Sequence, residues 1–452
     1  MKNISIIGSG LSGSLLTINL IKNWKEKGRL NINLIERDPQ KFNTGVAYST
    51  EEFTHLLNVR CSNMSIFPDD PDHFYNWLKK FGYTYTKNDF VPRTIFGQYI
   101  KYNFKHTIVD KSENINFNTI FDEVVDISSE DSKYKLQFKT GEEITSDVVV
   151  LALGQISVAE IDLLKFSNID NYYRTPWTDE IFAKLKSEDN ILFIGSGLTT
   201  HDIILSLKER NHQGKLHAIS RNGYHPIVHK LYDPYPSFYE EVKDKDINQI
   251  FNIVRKHLKN HNEPRAVIDS LRPYVSDIWK SLSKTDKSRF LRHLNPIWNS
   301  IRHRMPESTF DALNELEKSG QLRFIKGQIL NVEQDSKIKV KFFNKENKNI
   351  EELIVDLVIN CIGPESNYKR LNLPLIKNLL DSGIIECDEQ SITIKTNNWN
   401  VINKSGQEMY NLMAIGPVLK GELFECTAVP EIRKHTFELS KQIVKCLKLV
   451  TT

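Results

Sequence analysis

The amino-terminal segment alternates apolar and glycine-rich stretches in a fixed order. An apolar run at residues 4–7 leads into Gly8-Ser-Gly-Leu-Ser-Gly13, and residues 14–21 continue with apolar positions at helical spacing. A second apolar run at residues 32–35 stops at Glu36. Strand, glycine turn, helix and strand, with an acidic residue ~20 positions past the glycines, is the order of a dinucleotide-binding βαβ unit. The pattern therefore predicts such a unit here.

The same order returns in the middle of the chain. Residues 190–194 form a strand-like run, Gly195-Ser-Gly-Leu-Thr-Thr200 follows, and the next residues have helical spacing. Another strand-like run lies at residues 216–219. Because Thr200 replaces the third glycine, this second loop repeats the first less perfectly. Two units of related design predict a tandem architecture.

The regions after each unit are patterned as well. A buried-strand pattern runs into glycine at residues 147–154, and a similar run follows the second unit at residues 356–363. Each unit is therefore expected to end with a strand that enters a glycine turn. From residue 232 to residue 316 the spacing is helical, which predicts an inserted cap or substrate region.

These elements predict an α/β fold class, with two Rossmann-like domains in a tandem arrangement like that of glutathione reductase and a helical insertion. A chain of 452 residues is long enough for more than one core. The predicted first domain comprises residues 1–165 and 356–452. The second comprises residues 166–231 and 317–355, and residues 232–316 form the insertion.

Composition excludes several classes of protein. With 40% hydrophobic and 26% charged residues the chain is typical of a globular enzyme. A formal net charge of +3 is too small to hold the chain on nucleic acid or an anionic membrane. We find no signal peptide and no apolar stretch near the ~20 residues that span a bilayer. Five scattered cysteines without a C-x-x-C pair predict reduced thiols and a cytoplasmic location.

The glycine loops carry the first candidate chemistry. Their glycines permit a tight turn and a close approach of pyrophosphate, and the following helix N-terminus attracts phosphate. Glu36 is expected to bind an adenosine ribose. Arg221 is expected to pair with a 2′-phosphate, which favours NADPH, although a solvated loop arginine is an equally weighted alternative. The predicted nucleotide-contacting residues of the loops and closing runs are Gly8, Ser9, Gly10, Leu11, Ser12, Gly13, Glu36, Arg37, Gly154, Gly195, Gly197, Leu198, Thr199, Arg221 and Gly363.

Other motifs carry a resemblance to a known family. They lie at residues 45–48, 55–59, 63–78, 91–99, 289–304 and 416–433. Together they resemble a bacterial FAD/NAD(P)-binding family, mostly uncharacterised, that is distantly similar to flavin-containing and N-hydroxylating monooxygenases. The resemblance spans nearly the whole chain. One departure is that Pro417 follows Gly416, where many two-nucleotide flavoproteins have an aspartate.

The resemblance implies FAD in the first unit, NAD(P)H in the second, and a carboxyl-terminal segment that closes over the flavin. It adds Tyr48, Met64, Ser65, Gly416, Glu425 and Thr427 to the expected cofactor contacts. In the distant monooxygenase relatives an asparagine supports the oxygenated flavin, and Asn58 and Asn63 are the candidates here. For either residue alone, an asparagine that only satisfies loop backbone remains the favoured alternative.

Two further groups of polar residues can be interpreted as functional or as structural. The insertion carries a basic cluster that would hold an anionic substrate or a cofactor phosphate, unless it is a solvated helix face: Arg289, Arg292, His293, Arg302, His303 and Arg304. Asp202 is expected to stabilise the first turn of the second unit's helix. The histidines and cysteines have no metal-ligand spacing, so no metal site is expected.

The leading functional hypothesis is an FAD-dependent, NAD(P)H-using monooxygenase that oxygenates a small molecule through a flavin peroxide. By analogy with the relatives alone, the acceptor is an amino-acid or amine nitrogen. A reductase that passes electrons to a protein or quinone is one alternative. A non-catalytic sensor of the NAD(P)H ratio is another. A homodimer is compatible with all three hypotheses.

Overall fold

The computed structural model describes residues 1–449 except 131, 157–158, 160–165, 167–168, 179 and 366. The predicted domain boundary at residue 165 therefore lies outside the described residues. The strands are β1 (Lys2–Ile7), β2 (Leu30–Ile35), β3 (Ile115–Ile120), β4 (Val124–Glu130), β5 (Lys133–Phe138), β6 (Glu143–Ser146), β7 (Val148–Leu151), β8 (Tyr172–Tyr173), β9 (Ile191–Ile194), β10 (Leu216–Ser220), β11 (Leu322–Gln334), β12 (Ile338–Asn344), β13 (Ile350–Val355), β14 (Leu357–Asn360), β15 (Thr396–Asn397), β16 (Asn400–Ile402) and β17 (Glu408–Ala414).

The helices alternate with these strands in the two units and cluster between β10 and β11. They are α1 (Leu11–Asn23), α2 (Gly45–Tyr48), α3 (His73–Lys80), α4 (Arg93–Val109), α5 (Glu180–Lys184), α6 (Leu198–Glu209), α7 (Tyr239–Val242), α8 (Ile247–Asn260), α9 (Pro264–Leu271), α10 (Val275–Ser281), α11 (Lys284–Arg289), α12 (Asn295–Arg302), α13 (Glu307–Lys318), α14 (Pro374–Asp381), α15 (Lys420–Leu423) and α16 (Val429–Leu449).

The first sheet has the strand order β15-β16-β17-β7-β1-β2-β3. Strands β17, β7, β1, β2 and β3 run parallel, and β16 and β15 add an antiparallel edge. The side chains of Ile4 and Ile6 in β1 are fully buried, as expected for a central strand covered by helices on both faces. Helix α1 packs against α4 and α16, so the last helix of the chain completes the first unit.

A small antiparallel sheet, β4-β5-β6, lies beside the first unit. Strand β4 packs against α14, and the hydroxyl of Tyr134 donates to the carbonyl oxygen of Tyr410 at 2.8 Å. These contacts tie the small sheet to the carboxyl-terminal part of the chain.

The second sheet has the order β13-β12-β11-β10-β9-β14-β8. Strands β11, β10, β9, β14 and β8 are parallel, and β12 and β13 form an antiparallel extension. The order β11-β10-β9-β14 repeats β3-β2-β1-β7, which is the doubly wound order of dinucleotide-binding folds. Strand β14 belongs to this second sheet, whereas the sequence boundary at residue 356 placed it in the first domain. Because Leu357 to Asn360 pair with Ile191 to Ile194, the boundary is wrong by that strand.

The helical insertion runs from α7 to α12 and has its own core, which includes Val267 and Trp279. That core also contains Ile392 and Phe424 from the carboxyl-terminal part of the chain, so the insertion rests on the first domain. Helix α13 instead packs against α6 and β11 and buries Leu313 in the second unit. The predicted insertion boundary at residue 316 therefore includes one helix too many.

The two parallel sheets, their covering helices and the insertion confirm the predicted fold class. We propose that the first domain comprises residues up to about the gap at 160–165 together with the chain after β14. On the same grounds we propose that the insertion ends near Met305, where α13 follows. Among the described helices, none combines the length and apolar character needed to cross a membrane.

Candidate functional site

The first glycine loop joins β1 to α1 at the carboxyl end of the first sheet. Gly8 has a φ of +103°, and a Cβ at this position would lie 2.3 Å from the carbonyl oxygen of Ala152. A Cβ on Gly13 would lie 2.0 Å from the carbonyl oxygen of Gly8. Both contacts are with backbone, so only glycine fits at either position.

The amino terminus of α1 has the features of an anion site. Gly10 caps the helix without a side-chain hydrogen bond, and the first turn carries no acidic residue. The positive end of the helix dipole is therefore not neutralised by its own cap. A Cβ on Gly45 would lie 3.3 Å from the Cα of Gly10, so the two backbones approach closely. This backbone-lined cradle fits the pyrophosphate of a dinucleotide.

Glu36 reaches the loop from the end of β2. One of its carboxylate oxygens accepts from the backbone N–H of Ser9 at 3.1 Å and from its hydroxyl at 2.8 Å. The other oxygen accepts from the N–H of Asp38 at 3.1 Å. Arg37 points away, with its guanidinium 3.6 Å from Glu123. Glu36 is thus held by the loop itself at the end of β2, and its predicted contact with a ribose stays a prediction.

Tyr48 lies at the end of the short helix α2, against α4. Its ring packs edge-on against Phe96 with the ring centroids 4.9 Å apart. Burial raises the pKa of Tyr48 to about 12, so its phenol is neutral. A Cβ on Gly97 would lie 2.4 Å from the carbonyl oxygen of Tyr48, which explains the glycine in α4.

Asn58 and Asn63 lie in different surroundings. The carbonyl oxygen of Asn58 accepts from the Nε2 of His229 at 2.9 Å, and its side chain is half-buried. A groove of about 380 Å³, lined by Leu56, Arg60 and His229 among others, opens beside it. Asn63 ends a 3₁₀ turn and is exposed. Of the two asparagines, Asn58 lies where the first and second units meet.

Met64 and Ser65 are buried in the segment that follows. The hydroxyl of Ser65 donates to the carbonyl oxygen of Asp70 at 2.6 Å and accepts from the N–H of Phe67 at 3.1 Å. Its carbonyl oxygen accepts from the guanidinium of Arg433 in α16 at 2.8 Å. Ser65 therefore shapes this loop through its own hydrogen bonds.

The carboxyl-terminal segment returns to the first glycine loop. Strand β17 pairs with β7 and leads to Gly416, which has a φ of +76°. A Cβ on Gly416 would lie 2.3 Å from the hydroxyl oxygen of Ser12 in the first turn of α1. Gly154, with a φ of +65°, follows β7 and has no atom within 4 Å of an added Cβ. Thr427, two residues before α16, is partly exposed.

The second loop repeats the first with one difference. A Cβ on Gly195, whose φ is +123°, would lie 2.6 Å from the carbonyl oxygen of Cys361. Cys361 follows β14 as Ala152 follows β7. At the third glycine position, the hydroxyl of Thr200 donates to the carbonyl oxygen of Gly195 at 2.9 Å. Gly197 caps α6 without a side-chain hydrogen bond, so the N–H groups of this helix N-terminus are left uncapped, as in α1.

The remaining residues predicted for the second loop lie around its rim. Leu198 and Thr199 are half-buried in the first turn of α6. Arg221 comes directly after β10 and is exposed, and its carbonyl oxygen accepts from the ammonium of Lys345. Gly363, with a φ of +92°, follows β14 and leaves open space for a side chain. An arginine at the end of β10 corresponds in position to Glu36 at the end of β2.

Two histidines near the second loop, the buried His201 and the half-buried His225, were not predicted. Burial lowers the pKa of His201 to about 3, and neither of its ring nitrogens has a hydrogen-bond partner among the described residues. Burial also lowers the pKa of His225, which packs edge-on against Phe324 at 4.3 Å between ring centroids. Both imidazoles are neutral at pH 7. His201 lies in a helical run, which gives no sequence signal of its burial.

Helix α6 is fixed to the first unit by an ion pair. The sequence predicted that Asp202 stabilises the first turn of α6, but its side chain has another partner. Its Oδ2 lies 2.9 Å from the Nη2 of Arg93, at the start of α4. Burial raises the pKa of Asp202 to about 6 in spite of Arg93. The first-turn prediction is wrong because tertiary contact directs this side chain away from its own helix end.

Further polar contacts continue this interface. His55 Nδ1 lies 2.8 Å from the hydroxyl of Thr50, and its Nε2 lies 3.0 Å from the hydroxyl of Ser206 in α6. Burial lowers the pKa of His55 to about 4. Arg210 donates to the carboxylate of Glu52 at 3.1 Å. Hydrogen bonds and ion pairs between the units therefore fix the position of the second loop relative to the first.

The predicted basic cluster of the insertion divides into parts. Arg292 and His293 are exposed, and Arg289 is exposed beside Asp286. Arg304 is buried and donates to both carboxylate oxygens of Asp269, at 3.0 and 2.8 Å. These four residues therefore do not form one anion site.

Arg302 and His303 belong to a second cluster with the carboxyl-terminal segment. Arg302 lies 3.6 Å from both Glu425 and Glu431. The carboxylate of Glu425 also accepts from the indole N–H of Trp298 at 2.9 Å, so Glu425 is directed into the insertion. Burial lowers the pKa of His303 to about 4. Among the described residues, no group of histidine, cysteine, aspartate and glutamate could hold a metal ion.

Comparisons with known proteins agree with this geometry. Residues 5–156 match the sequence model of the FAD-NAD(P)-binding family. No curated protein sequence matches the chain. The first unit is thus an FAD-NAD(P)-binding domain, which confirms the dinucleotide function predicted from its loop.

Solved structures extend the likeness to the whole chain. An ornithine N-hydroxylase from Kutzneria has a TM-score of 0.64 at 12% identity, covering 99% of this chain and 100% of the other. An L-lysine 6-monooxygenase from Pseudomonas syringae has a TM-score of 0.66 at 12% identity, covering 100% of both chains. A cadaverine monooxygenase from Erwinia amylovora has a TM-score of 0.65 at 13% identity, covering 97% of this chain and 93% of the other. The chain has the fold of flavin-dependent N-hydroxylating monooxygenases, which confirms the predicted resemblance.

Proposed function

We propose that this protein is an FAD-dependent, NADPH-using monooxygenase that oxygenates a nitrogen of a small molecule. The observation that carries the proposal is the pair of glycine loops, each at the carboxyl end of a parallel sheet and joined by direct contacts between the units. The full-length fold shared with ornithine, lysine and cadaverine monooxygenases supports the same reaction class.

FAD fits the first loop. Gly8, Gly10 and Gly13 would let the pyrophosphate approach the backbone at the positive end of α1, and Glu36 would hold the ribose. Gly416 lies against Ser12, so the carboxyl-terminal segment would cover the same ligand from the other side. Thr427 and the amino terminus of α16 follow this segment and are the proposed contacts of the flavin end.

NADPH fits the second loop. Gly195, Gly197 and the first turn of α6 would bind its pyrophosphate as the first loop binds that of FAD. Arg221 stands where Glu36 stands in the first unit, and a guanidinium there would pair with a 2′-phosphate. The reductant would thus be chosen by the charge at the end of β10.

A bound flavin would accept a hydride from NADPH and activate molecular oxygen. The protein would supply orientation and protection from water. Asn58 is the proposed catalytic amide because it lies at the junction of the units. The side-chain amide can donate a hydrogen bond to developing negative charge without titrating. Asn63 is the second candidate, although its exposure favours Asn58.

The proposal includes a cytoplasmic location and a homodimer. The five cysteines are free thiols, which supports a reducing compartment. Strand β13 is an edge of the second sheet and exposes Ile350 and Ile354, which supports contact with another copy there. Light scattering of the purified protein would test the dimer.

One experiment tests the reaction. Purified protein reconstituted with FAD is incubated with NADPH, isotopically labelled oxygen and L-ornithine, L-lysine, other amino acids or cadaverine, and products are analysed by mass spectrometry. We expect one labelled oxygen atom in an N-hydroxylated product. NADPH oxidation that transfers electrons to a quinone, without labelled product from any amine, would favour a reductase and contradict the proposal. A colourless protein that does not take up FAD would overturn the flavoprotein assignment.

A further inference from the structure

The groove beside Asn58 lies between the two units and has a volume of about 380 Å³. This volume is within the ~300–1,000 Å³ that small-molecule sites occupy. Each unit contributes one wall of the groove. Six of the lining residues define its chemistry: Arg60, Tyr85, Asp89 and Phe90 on the wall of the first unit, and His229 and Glu307 on the wall of the second.

Aromatic rings from both walls meet in this groove. The ring centroids of Phe90 and His229 lie 4.7 Å apart, with an angle of 40° between the rings. Tyr85 contributes a third ring, and burial raises the pKa of its phenol, so the phenol is uncharged at pH 7. Aromatic side chains pack favourably against another ring by edge or face. The groove therefore favours a ligand that itself carries a planar ring.

His229 links the groove to the proposed catalytic residue. Its Nε2 donates to the carbonyl oxygen of Asn58 at 2.9 Å, and burial lowers its pKa to about 4. The imidazole is therefore neutral at pH 7 and adds no charge to the groove. A ligand that packs on His229 lies beside the segment that carries Asn58.

A cation of the protein already covers Phe90. The guanidinium carbon of Arg60 lies 5.0 Å from the centroid of the Phe90 ring, and its Nη1 donates to the carbonyl oxygen of Asn88 at 2.6 Å. The attraction of this ring for a cation is thus satisfied within the protein. Because Arg60 would repel a second cation here, this wall accepts an uncharged ring rather than an ammonium group.

The two walls differ in charge. Arg60 and Asp89 on the first wall carry opposite charges that cancel. On the second wall Glu307 is exposed in the first turn of α13, where the helix N-terminus stabilises its carboxylate as an anion. Glu307 has no ion pair among the described residues. The groove therefore carries one net negative charge on the side of Glu307, which a single cationic group of a ligand would balance.

We infer that this groove binds the substrate, and that the substrate is a primary amine joined by a short chain to an aromatic ring. The ring packs against Tyr85, Phe90 and His229, and the ammonium group pairs with Glu307 on the opposite wall. This inference rests on the proposed function and names the substrate class of its site. Ornithine, lysine and cadaverine, which appear in the names of the compared enzymes, carry no ring.

The test measures binding to the oxidised FAD-loaded protein by titration calorimetry, which requires no turnover. The probes are phenethylamine, tyramine and tryptamine, the aliphatic amines hexylamine and cadaverine, the alcohol 2-phenylethanol and the amino acid L-phenylalanine. We expect at least one ring-bearing amine to bind about 10-fold more tightly than the aliphatic amines and the alcohol. L-Phenylalanine should bind more weakly than phenethylamine, because its carboxylate adds a negative charge to the groove.

Two variants separate the contribution of the ring from that of the charge. Phe90→Leu keeps an apolar side chain but loses the ring, so it should weaken the ring-bearing amine about 5- to 10-fold and leave hexylamine unchanged. Glu307→Gln removes the negative charge, so it should weaken the same amine about 5-fold and leave 2-phenylethanol unchanged.

Glu315→Gln is the matched control. Glu315 is an exposed glutamate about 12 Å farther along α13 and does not line the groove, so its loss should leave the binding of every probe unchanged. The FAD content and the melting temperature of each variant show whether it is folded. The comparison among probes uses the unaltered protein, so it holds even where a variant does not fold.

The inference fails if no ring-bearing amine binds, if hexylamine or L-phenylalanine binds the wild-type protein as tightly as phenethylamine, tyramine and tryptamine do, or if either folded groove variant keeps wild-type affinity. A ring-bearing amine that binds through both residues but yields no labelled product contradicts only the proposed reaction. Labelled product from an aliphatic amine, without binding of any ring-bearing amine, contradicts only this inference.

Discussion

The two glycine loops solve one packing problem in different ways. In the first, Gly13 has no side chain, and its Cα lies so close to Gly8 that an added Cβ would meet the carbonyl oxygen of Gly8 at 2.0 Å. In the second, Thr200 occupies that position and donates a hydrogen bond to Gly195 at 2.9 Å. The same strand-to-helix turn is thus closed by contact in one unit and by a hydroxyl in the other.

The helices that follow the loops also differ. Helix α1 packs within its own unit against α4 and α16, whereas α6 reaches across to the first unit through Asp202, Ser206 and Arg210. The first site is therefore built from one domain. The second depends on contacts between domains that are polar, so its position relative to the first is set by a few hydrogen bonds and ion pairs.

The largest effect is expected where the first loop has no space. Gly13→Ala should remove bound FAD and destabilise the first unit by more than about 3 kcal/mol, because backbone must move to admit the methyl group. The ratio of flavin to protein absorbance and the melting temperature measure this. Gly197→Ala is the matched control in the second loop, since an added Cβ there meets nothing within 4 Å. Normal FAD content in Gly13→Ala would refute the packing argument.

The next effect concerns the link between the units. Asp202→Asn should cost about 3 kcal/mol because it leaves the mostly buried guanidinium of Arg93 without its anion. Chemical denaturation followed by flavin fluorescence and by far-ultraviolet circular dichroism measures the loss. Lys208→Gln is the control, because Lys208 also lies on α6 and its ion pair is with the exposed Glu315 of α13. Equal, small losses in both variants would mean that the buried pair does not fix α6.

Arg221 tests whether the second loop selects its ligand by charge. Arg221→Ala should raise the KM for NADPH about 10- to 100-fold and leave that for NADH nearly unchanged, as one charged contact to a phosphate is lost. Steady-state NAD(P)H oxidation measures both. Arg323→Ala, which removes another exposed arginine from the second sheet, should change neither. An unaltered preference in Arg221→Ala would remove Arg221 from the site.

His201 makes the second unit sensitive to acid. Its folded pKa of about 3 lies below the usual 6.5, so the unfolded state binds the proton first as the pH falls. Its contribution to stability is present above pH 6.5 and is lost as the pH falls toward that folded value. His201→Leu should reduce the slope of unfolding free energy against pH by up to about 1.4 kcal/mol per pH unit between pH 6 and 4.

Denaturant titrations across that range measure the slope for His201→Leu. His106→Leu, at an exposed position in α4, is the matched control and should leave the slope unchanged. An identical slope in His201→Leu and wild type would show that His201 is not the acid-sensitive group.

The smallest effect is expected at Thr200. Thr200→Ala removes the hydroxyl that bonds to Gly195 and should cost about 1 kcal/mol, with NADPH affinity nearly retained. Thermal unfolding measures the change, and Thr199→Ala serves as the neighbouring control. No loss of stability in Thr200→Ala would mean that the hydroxyl bond to Gly195 does not close the second loop.

The sequence determined the local parts of this protein. Strand, glycine turn, helix and strand follow one another without interruption, so the hydrophobic period and the glycine spacing predicted both units and the positions of Gly8, Gly195 and Glu36. The same local signals did not show to which domain β14 and α13 belong. An apolar strand and an amphipathic helix look alike in sequence whichever sheet they join, so the boundaries at residues 356 and 316 were misplaced.

Only the tertiary structure decided which distant residues meet. Asp202 lies in a helical run that gives no sign of Arg93, more than one hundred positions earlier in the chain. Arg302 and Arg304 belong to a basic cluster that the sequence presents as one group. In the structure Arg302 is buried against Glu425 and Glu431, whereas Arg304 is paired with Asp269. Sequence pattern reports which face of an element is apolar. It does not report which charges folding brings together, because those pairings depend on how the two units and the insertion pack.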